Sequence, residues 1–450
     1  MTRYTVTDTE LTSVANAIRT AGGTNSPLEF PSEFISAIGD IGGGGGGSSA
    51  PSKDVNFIDY DGTIVYSYTA AEFAELTAMP VNPTHEGLTA QGWNWSLSDA
   101  QSYVADYGLL TIGQMYITSD GKTRIYIHLE EGRLEPYLGL AVNGTATVEW
   151  GDDTTSTVTG TSTTTVVNTQ HAYLTAGDYV ITIAVTGSLG TQVLGKNSTT
   201  SNLNRVYQNA IQKIEFGSNV TSITSNSFYN CCSLRSITIP KNVTSIVSNL
   251  FYGCYSLQSI TIPENVTSIA SSMFYGCYSL QSITIPKNVT SIGSSAFNNC
   301  YNLSSIMIPK NVTSIGSNAF SNCYNLSSIT ILENVTSIGT SAFSNCYNLS
   351  SITIPENVTN IGNNMFSNCY NLSSITIPEN VTSIGNSAFQ SCFGLGFIKF
   401  INDTPPTVSN SNAFSSLPAD CKIYVPTGSL GAYTTATNYP SSSTYTYVEY

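Results

Sequence analysis

Apolar residues recur at a fixed interval of 23 residues through the C-terminal half of the chain. The interval is marked by eight valines, at Val220, Val243, Val266, Val289, Val312, Val335, Val358 and Val381. In one clean copy, residues 288–310, the recurring apolar positions are Val289, Ile292, Phe297, Cys300, Leu303, Ile306 and Ile308. No single unit can bury these side chains alone, so the period predicts a solenoid of stacked coils at strand spacing, about 4.8 Å per coil.

Upstream of the repeat the pattern changes several times. Residues 1–41 carry short apolar stripes at helical spacing, and six glycines with serines follow. Alternating strands and helical stretches come next, and then Thr/Val-rich segments of period two. We predict a multidomain, mostly β chain with these parts: 1–41 helical attachment module, 42–53 Gly/Ser linker, 54–132 small α/β domain, 133–190 β-sandwich, 191–219 connector and solenoid N-cap, 220–403 solenoid, and 404–450 C-terminal cap and tail.

Strand alternation within each coil sends a second set of side chains outward. These form a Ser/Thr lattice on one sheet face, and a column of tyrosines runs beside it. Such hydroxyls and aromatic rings could hold a sugar or a protein epitope. The alternative, that repetition alone makes the columns and the tyrosines merely pack on one another, stays open. The candidate ligand-binding residues are Ser259, Thr261, Ser282, Thr284, Ser305, Met307, Ser328, Thr330, Ser351, Thr353, Tyr278, Tyr301, Tyr324 and Tyr347.

The repeat unit resembles the bacterial BspA-like leucine-rich repeats, whose recognisable string is LxxIxIPxxVxxIGxxAFxxCxx. The match runs from about residue 211 to 425. It departs at Thr224, Val247 and Ala270, which replace a glycine, and at Leu332, which replaces a proline. The tail from Cys421 to Pro426 with Leu430 and Tyr433 resembles the segment that closes such solenoids. The resemblance implies a leucine-rich-repeat solenoid with a capped C-terminal edge.

Part of the Thr/Val-rich segment resembles PKD-type domains. The matching residues are Trp150-Gly151-Asp152, His171-Ala172-Tyr173, Gly177, Tyr179 and Val180, and Asp153 stands where that family usually has glycine. The resemblance implies a PKD-like β-sandwich.

Composition narrows the function classes. The net charge is −14 and only 10% of residues are charged, which opposes binding to nucleic acid or anionic lipid. The N-terminus has no apolar run of signal-peptide length, and no later apolar run is long enough to span a membrane. We therefore expect folding in a cytosol and no membrane insertion.

Catalytic and metal chemistry find little support. Asp59 and Asp61 resemble the DxDGT motif of haloacid-dehalogenase phosphatases, but the segment is too short for that fold, and a tight turn explains them. The histidines show no metal-ligand spacing, and a calcium ion at Asp152 and Asp153 is a minor alternative. The periodic cysteines predict a buried ladder of reduced thiols. We expect no catalytic residues, no metal and no cofactor, and we read the NVT tripeptides as turn residues.

Two functions in one broad class compete. The string YTVTDTELTSVANAIRT and the strings DYDGTIVYSYTAAEF and GWNWSLSDAQSYVADYG resemble segments of tail-associated proteins in phages of gut Firmicutes. That resemblance implies a virion tail-fibre or receptor-binding protein, assembled in the host cytoplasm and attached to other virion proteins through residues 1–41. It would recognise a bacterial surface glycan or protein through the solenoid.

The alternative is a bacterial cell-surface adhesin, since BspA-like repeats are similar to those of proteins that bind host matrix or other bacteria. A glycan-degrading enzyme lacks a candidate carboxylate pair. A homo-oligomer is possible in either case.

Overall fold

The structure is a computed structural model that describes residues 54–194, 209–223, 225–243 and 246–450. These residues fall within one compact unit. The helical module predicted for 1–41 and the linker predicted for 42–53 lie outside the described residues.

The described chain begins with a small α/β unit. Its elements are β1 Val55–Ile58, β2 Ile64–Tyr68, α1 Ala70–Ala74, β3 Leu88–Trp93, α2 Leu97–Tyr107 and β4 Leu110–Thr118. The sheet has the strand order β2-β1-β4-β3, with β1 parallel to β4 and the other two pairs antiparallel.

Local sequence signals set the helix ends of this unit. Thr69 and Glu72 form a reciprocal capping box at the start of α1. The Ser96 side chain caps the first turn of α2, and Gly108 ends that helix at φ 81°. Apolar side chains of both helices pack with the sheet in one core, which includes Phe57, Phe73, Trp93, Tyr103, Val104 and Ile112.

A seven-stranded sheet follows. Its strands are β5 Thr123–Leu129, β6 Tyr137–Glu149, β7 Thr155–Gln170, β8 Gly177–Leu194, β9 Ile211–Glu215, β10 Ser236–Thr238 and β11 Ser259–Thr261. Their order in the sheet is β11-β10-β9-β5-β8-β6-β7. Long antiparallel strands form one end, and short parallel strands of the first coils form the other.

The segment predicted as a β-sandwich, residues 133–190, contains β6, β7 and β8. These strands pair with one another in the sheet that continues into the solenoid, and the sandwich stays a prediction. The predicted boundary at residue 132 also falls after β5, although β5 pairs with both β8 and β9. The physical reason is that β5 has partners on both sides, so its hydrogen bonds tie the segment to the first coil. The resemblance to PKD-type domains stays a prediction.

The solenoid predicted from the 23-residue period is confirmed. Each coil contributes short parallel strands in register with the equivalent residues of the next coil, as in Ser305↔Ser328 and Ser314↔Ser337. The strands on the front of the solenoid, together called the front sheet, pair in three groups. These are β9, β10 and β11; β14 Ser305–Met307 and β16 Ser328–Thr330; and β19 Ser374–Ile377, β21 Phe397–Phe400, β23 Lys422–Val425 and β24 Thr446–Glu449. The strands on the back, together called the back sheet, pair in two groups: β12 Ser268–Ile269, β13 Ser291–Ile292, β15 Ser314–Ile315 and β17 Ser337–Ile338; and β18 Asn360–Ile361, β20 Ser383–Ile384 and β22 Thr407–Val408.

The predicted inward positions form the core. All seven apolar side chains of the unit at 288–310 are at most 5% exposed. The phenylalanines stack in a continuous column from Phe228 to Phe414, with ring centroids of neighbouring coils 5.3–5.8 Å apart. Burying one ring against the next in every coil removes the apolar edge that each unit would otherwise expose.

The turns use residues that tolerate a left-handed backbone. Asn299 and Asn322 have φ values of 63° and 62°, and asparagine takes this conformation more readily than most residues. The glycine after the back-sheet isoleucine has a different cause: a Cβ on Gly293 would lie 2.5 Å from the backbone nitrogen of Ser271 in the preceding coil. Close coil stacking therefore selects glycine there.

The C-terminal segment covers the last coil. After a 3-10 turn at Ser411–Phe414, the chain forms β23, helix α3 Leu430–Thr435 and β24. Tyr433 of α3 is fully buried, and its hydroxyl donates a hydrogen bond to the carbonyl of Asn402 at 2.8 Å. This arrangement closes the apolar end of the core.

Candidate functional site

The outward positions of the front sheet divide into a covered and an uncovered part. Ser259, Thr261 and Thr284 were predicted to be exposed, but they are buried, at 3%, 4% and 5% exposure. Ser282 and Met307 are half-buried. The uncovered part includes five exposed candidates, Ser305, Ser328, Thr330, Ser351 and Thr353.

The α/β unit covers the first coils. The Ser259 hydroxyl donates a hydrogen bond to the carbonyl of Tyr60 at 3.1 Å, and the Thr284 hydroxyl donates to the carbonyl of Thr111 at 2.9 Å. A Cβ added to Gly113 would lie only 2.5 Å from Thr261 Oγ1, so the two backbones approach as closely as glycine allows. Strand β4 is buried on nearly every residue because helices pack on one of its faces and the solenoid on the other.

Two further contacts mark the edge of this docked surface. Met307 packs against the core of the α/β unit, and Lys287 forms an ion pair with Asp99 at the start of α2. The hydrogen bonds from Lys287 and then from Ser96 hold the pKa of Asp99 below its usual value. The three buried candidates, together with Met307 and Lys287, thus belong to an internal interface between the α/β unit and the solenoid.

The five exposed candidates, called the uncovered lattice, form a regular array of hydroxyls on the front sheet. Within the described part of the chain, the side chains of its five residues form no hydrogen bond to other residues. Neighbouring serines behave differently, because Ser327 and Ser350 each donate to a carbonyl of the preceding coil. The lattice therefore offers donors and acceptors to an external partner, with one row per coil.

The predicted tyrosine column is present, but its geometry limits what it can bind. Neighbouring rings from Tyr255 to Tyr370 stack with centroids 4.5–4.7 Å apart and interplanar angles of 2–5°. Each inner ring face is therefore covered by the next tyrosine, and Tyr278, Tyr301, Tyr324 and Tyr347 are half-buried. A sugar ring cannot stack on those faces, so these four residues can offer an external partner only their edges and hydroxyls.

Two asparagine ladders flank the tyrosines, and they were not predicted from the sequence. In one, Asn345 Nδ2 donates to Asn322 Oδ1 at 2.6 Å, and in the other, Asn348 Nδ2 donates to Asn325 Oδ1 at 3.2 Å. Their signal was visible as asparagines repeated every 23 residues. The amides bond to one another, so they fix coil-to-coil register.

The cysteines and the NVT asparagines are structural, as predicted. The described cysteines are all free, and each buried thiol from Cys254 to Cys392 on the repeat period donates to a carbonyl, as Cys300 does to Phe274 at 3.2 Å. Burial raises the pKa of the Cys300 thiol well above its usual range. In the NVT turns the asparagine amide donates to the preceding coil, as Asn288 does to the carbonyl of Glu264 at 2.9 Å.

The remaining chemical candidates are also engaged in local structure. Asp59 is 5% exposed and lies 2.7 Å from His85 Nε2, and Asp61 accepts a hydrogen bond from the backbone of Thr63 in the predicted tight turn. Asp152 lies 2.7 Å from His171 Nε2, where the sequence left calcium as a minor alternative.

Metal-binding clusters and membrane-spanning helices are both absent from the described residues. No group of three or more histidine, cysteine, aspartate or glutamate side chains is placed to hold a metal ion among them. The same part of the chain contains no helix with the length and apolarity needed to cross a bilayer.

Solved structures similar to this chain include three bacterial proteins. The leucine-rich repeat protein of T. pallidum is 34% identical over 34% of this chain and 72% of its own, with a TM-score of 0.33. A leucine-rich cell surface protein from Faecalibacterium prausnitzii A2-165 is 27% identical over 56% of this chain and 86% of its own, with a TM-score of 0.29. The pneumococcal vaccine antigen PcpA is 15% identical over 60% and 85%, with a TM-score of 0.32.

Sequence comparisons identify the repeat itself. No curated protein matches the chain significantly. The family model for the BspA type leucine-rich repeat region matches six copies, over residues 202–326 and 290–419. This match covers the coils whose inward ladders and outward lattice are described above. The repeat region of this chain belongs to the BspA-type leucine-rich-repeat family.

Proposed function

We propose that the chain is a non-enzymatic recognition protein of the bacterial cell-surface type, which adheres to its target through the uncovered lattice of the front sheet. The observation that carries this proposal is a set of five exposed hydroxyls, none of which bonds to another described residue. They belong to Ser305, Ser328, Thr330, Ser351 and Thr353. Hydroxyls that stabilise the solenoid bond to the neighbouring coil, and these do not. Their regular exposure leaves them available to an external partner.

The chemistry of the lattice suits a hydroxyl- or amide-bearing partner. Each hydroxyl can donate one hydrogen bond and accept two, and the rows repeat at about the 4.8 Å spacing of strands. The surface is rigid because ladders such as Asn322–Asn345 tie the coils together. A pre-ordered surface loses little conformational entropy on binding. A glycan or a polar protein epitope on a bacterial or host surface fits this description.

The α/β unit has a positioning role in this proposal. It buries Ser259, Thr261 and Thr284 and so restricts the adhesive face to the coils from Ser305 onward. The segment 1–41 is proposed to attach the protein, as the sequence predicts. None of these roles requires a catalytic group or a cofactor.

The test is adhesion of the labelled full chain to intact bacterial cells and to immobilised host matrix proteins. Thr330→Arg with Thr353→Arg places two bulky charges on the lattice without removing any hydrogen bond of the fold. Ser337→Arg is the control, because Ser337 is also exposed but lies on the back sheet. We expect the double variant to lose at least about tenfold in affinity, or about 1.4 kcal/mol, and the control to bind like the parent. Equal binding by all three would contradict the proposal.

The virion role predicted from the phage-like strings is tested by location. Immunogold labelling of the producing bacterium and of virions purified from it distinguishes the two. Label on the cell surface supports the adhesin. Label at virion tails replaces it with a receptor-binding protein that uses the same lattice.

A further inference from the structure

One coil of the solenoid breaks the outward pattern while keeping the inward one. Cys392, Leu395 and Ile398 of this coil are fully buried, as their equivalents are elsewhere. The outward positions change together, since Tyr, Asn, Ser and Ser at 370, 371, 373 and 374 become Phe393, Gly394, Gly396 and Phe397. The next outward position also changes, from Thr376 to Lys399. Core packing does not require these changes, because Cys392, Leu395 and Ile398 repeat the residues of the other coils. Inside the coil, Phe400 replaces Ile377 and is also fully buried.

Two phenylalanines of this coil, Phe393 and Phe397, are exposed, and together they are called the aromatic shelf. Phe393 ends the tyrosine column: its ring stacks on Tyr370 at 5.3 Å, and 57% of the residue is exposed. No further ring continues this column among the described residues, so Phe393 has a free face that the inner tyrosines lack. Phe397 is 37% exposed and contacts the ring of Tyr424 edge-on at 5.5 Å.

Glycine occurs at the two positions beside the shelf for different reasons. A Cβ on Gly394 would lie 2.6 Å from the carbonyl oxygen of Tyr370, so stacking of the coils selects glycine there. At Gly396 the nearest atom to such a Cβ is the carbonyl oxygen of Ser373 at 3.5 Å, which is ordinary contact. A side chain would fit at Gly396, and the equivalent positions carry serine. The coil therefore has no side chain at the exposed position directly before Phe397.

Two lysines lie next to the shelf without acidic partners. Lys422 is directly opposite Phe397 in the front sheet and is exposed, and Lys399 lies two residues further along the same strand as Phe397. Neither forms an ion pair with another described residue. Lys399 Nζ lies 3.9 Å from the centre of the Tyr450 ring. In a chain of net charge −14, this is a local positive patch beside an apolar surface.

Neither closure of the core nor self-association accounts for this patch. Closure of the core uses buried residues such as Ile423 and Tyr433, and the free face of Phe393 contributes nothing to it. A second copy docked by two-fold symmetry would bring the same patch, Lys399 and Lys422 included, against itself. Bringing like charges together is unfavourable. The patch instead complements a partner that joins an apolar face to a negative group.

We propose that Phe393, Gly396, Phe397, Lys399 and Lys422 form a binding site for an acidic sugar residue of a surface glycan. The C–H face of the sugar ring packs on the phenyl rings, and its carboxylate pairs with the lysines. Because Gly396 has no side chain, the sugar ring can approach the backbone there. This inference rests on the proposed recognition function and names a ligand class for the end of the same sheet, where the neutral lattice gives way to a positive patch.

The test uses a carbohydrate microarray printed with uronic-acid-containing, sialylated and neutral oligosaccharides, probed with the labelled full chain. The variant Gly396→Ser with Phe397→Ser restores the residues of the other coils, so it is expected to fold. Phe393→Ala removes the free ring face. Leu174→Ser is the control, because Leu174 is 95% exposed and lies between β7 and β8 rather than in the patch.

We expect the parent and the control to bind acidic members of the array, and both site variants to lose at least tenfold while their thermal unfolding midpoints stay unchanged. Binding of neutral sugars only, no binding at all, or acidic-sugar binding that survives both variants would overturn the proposal. The adhesion assay with Thr330→Arg and Thr353→Arg reports on the lattice separately. The acidic-sugar site can therefore fail while the recognition function stands.

Discussion

Docking of the α/β unit on the front sheet depends on the absence of a side chain at Gly113. Replacing it by alanine places a Cβ 2.5 Å from Thr261 Oγ1 and 2.9 Å from Thr261 Cγ2, well inside van der Waals contact. Thr261 is 4% exposed and lies within a paired strand, so it has no space into which to move. Overpacking of this kind costs about 1–3 kcal/mol. We therefore expect Gly113→Ala to weaken the docked interface by that amount.

Thr261→Ala is the matching rescue. It removes both of the closest atoms and leaves only Thr261 Cβ, at 3.2 Å from the added methyl group. The double variant should recover most of the lost free energy, with a coupling of about 0.5–3 kcal/mol between the two positions. Gly431→Ala is the control, since nothing lies within 4 Å of a Cβ there.

Hydrogen exchange measured by mass spectrometry reads this interface directly. Amides of β4 and β11 exchange through local opening, and a loss of 1–3 kcal/mol raises their rate about 5- to 150-fold. The rate should fall back towards the parent value in the double variant. Unchanged exchange in Gly113→Ala, or failure of Thr261→Ala to restore protection, would refute the docking geometry.

Three further predictions follow from the core and from the same interface. Phe320→Ala should lower the free energy of unfolding by about 3–5 kcal/mol in chemical denaturation, because the ring is fully buried between two stacked neighbours; a loss below about 1 kcal/mol would contradict the stacked core. Cys300 should resist a thiol reagent at neutral pH until the chain unfolds, because burial raises the pKa of its thiol and keeps it protonated. Cys232 should react first because it is only half-buried, although burial and then Cys231 raise its pKa to about 11. Equal reaction rates of the two cysteines would argue against the inward ladder. Lys287→Met should be less stable than the parent, and the difference in free energy of unfolding should reach its full size above about pH 4, the ordinary pKa range of an aspartate. This difference should shrink as the pH falls through the lowered folded-state pKa of Asp99. A difference that grows in acid would contradict the ion pair.

The solenoid could be predicted from sequence because its cause is local and repeated. Val289, Phe297 and Leu303 face the core for the same reason in every coil, so one reading of the period assigns each copy. The direction of Ser305 and Thr330 follows from strand alternation in the same way. Exposure does not follow, since Thr284 points outward but is covered.

The covered face could not be predicted because its contacts leave no mark in the sequence. Ser259 and Thr284 bond to backbone carbonyls of Tyr60 and Thr111, and every residue type supplies a carbonyl. The partners are 199 and 173 positions apart. The stacking of Tyr278 on Tyr301 was open to sequence reasoning as an alternative, and only ring geometry decided that the faces are covered.

The number of stacked coils also sets the distance between the two ends of the exposed front sheet. The docked α/β unit fixes one end of the exposed front sheet near Met307, and the aromatic shelf marks the other at Phe393. The coils between them are interchangeable in their inward residues, so gaining or losing one 23-residue unit would move the two ends apart or together by about 4.8 Å. Duplication or deletion of a single unit could thus retune the spacing between two contact points on a target while leaving each contact chemically intact.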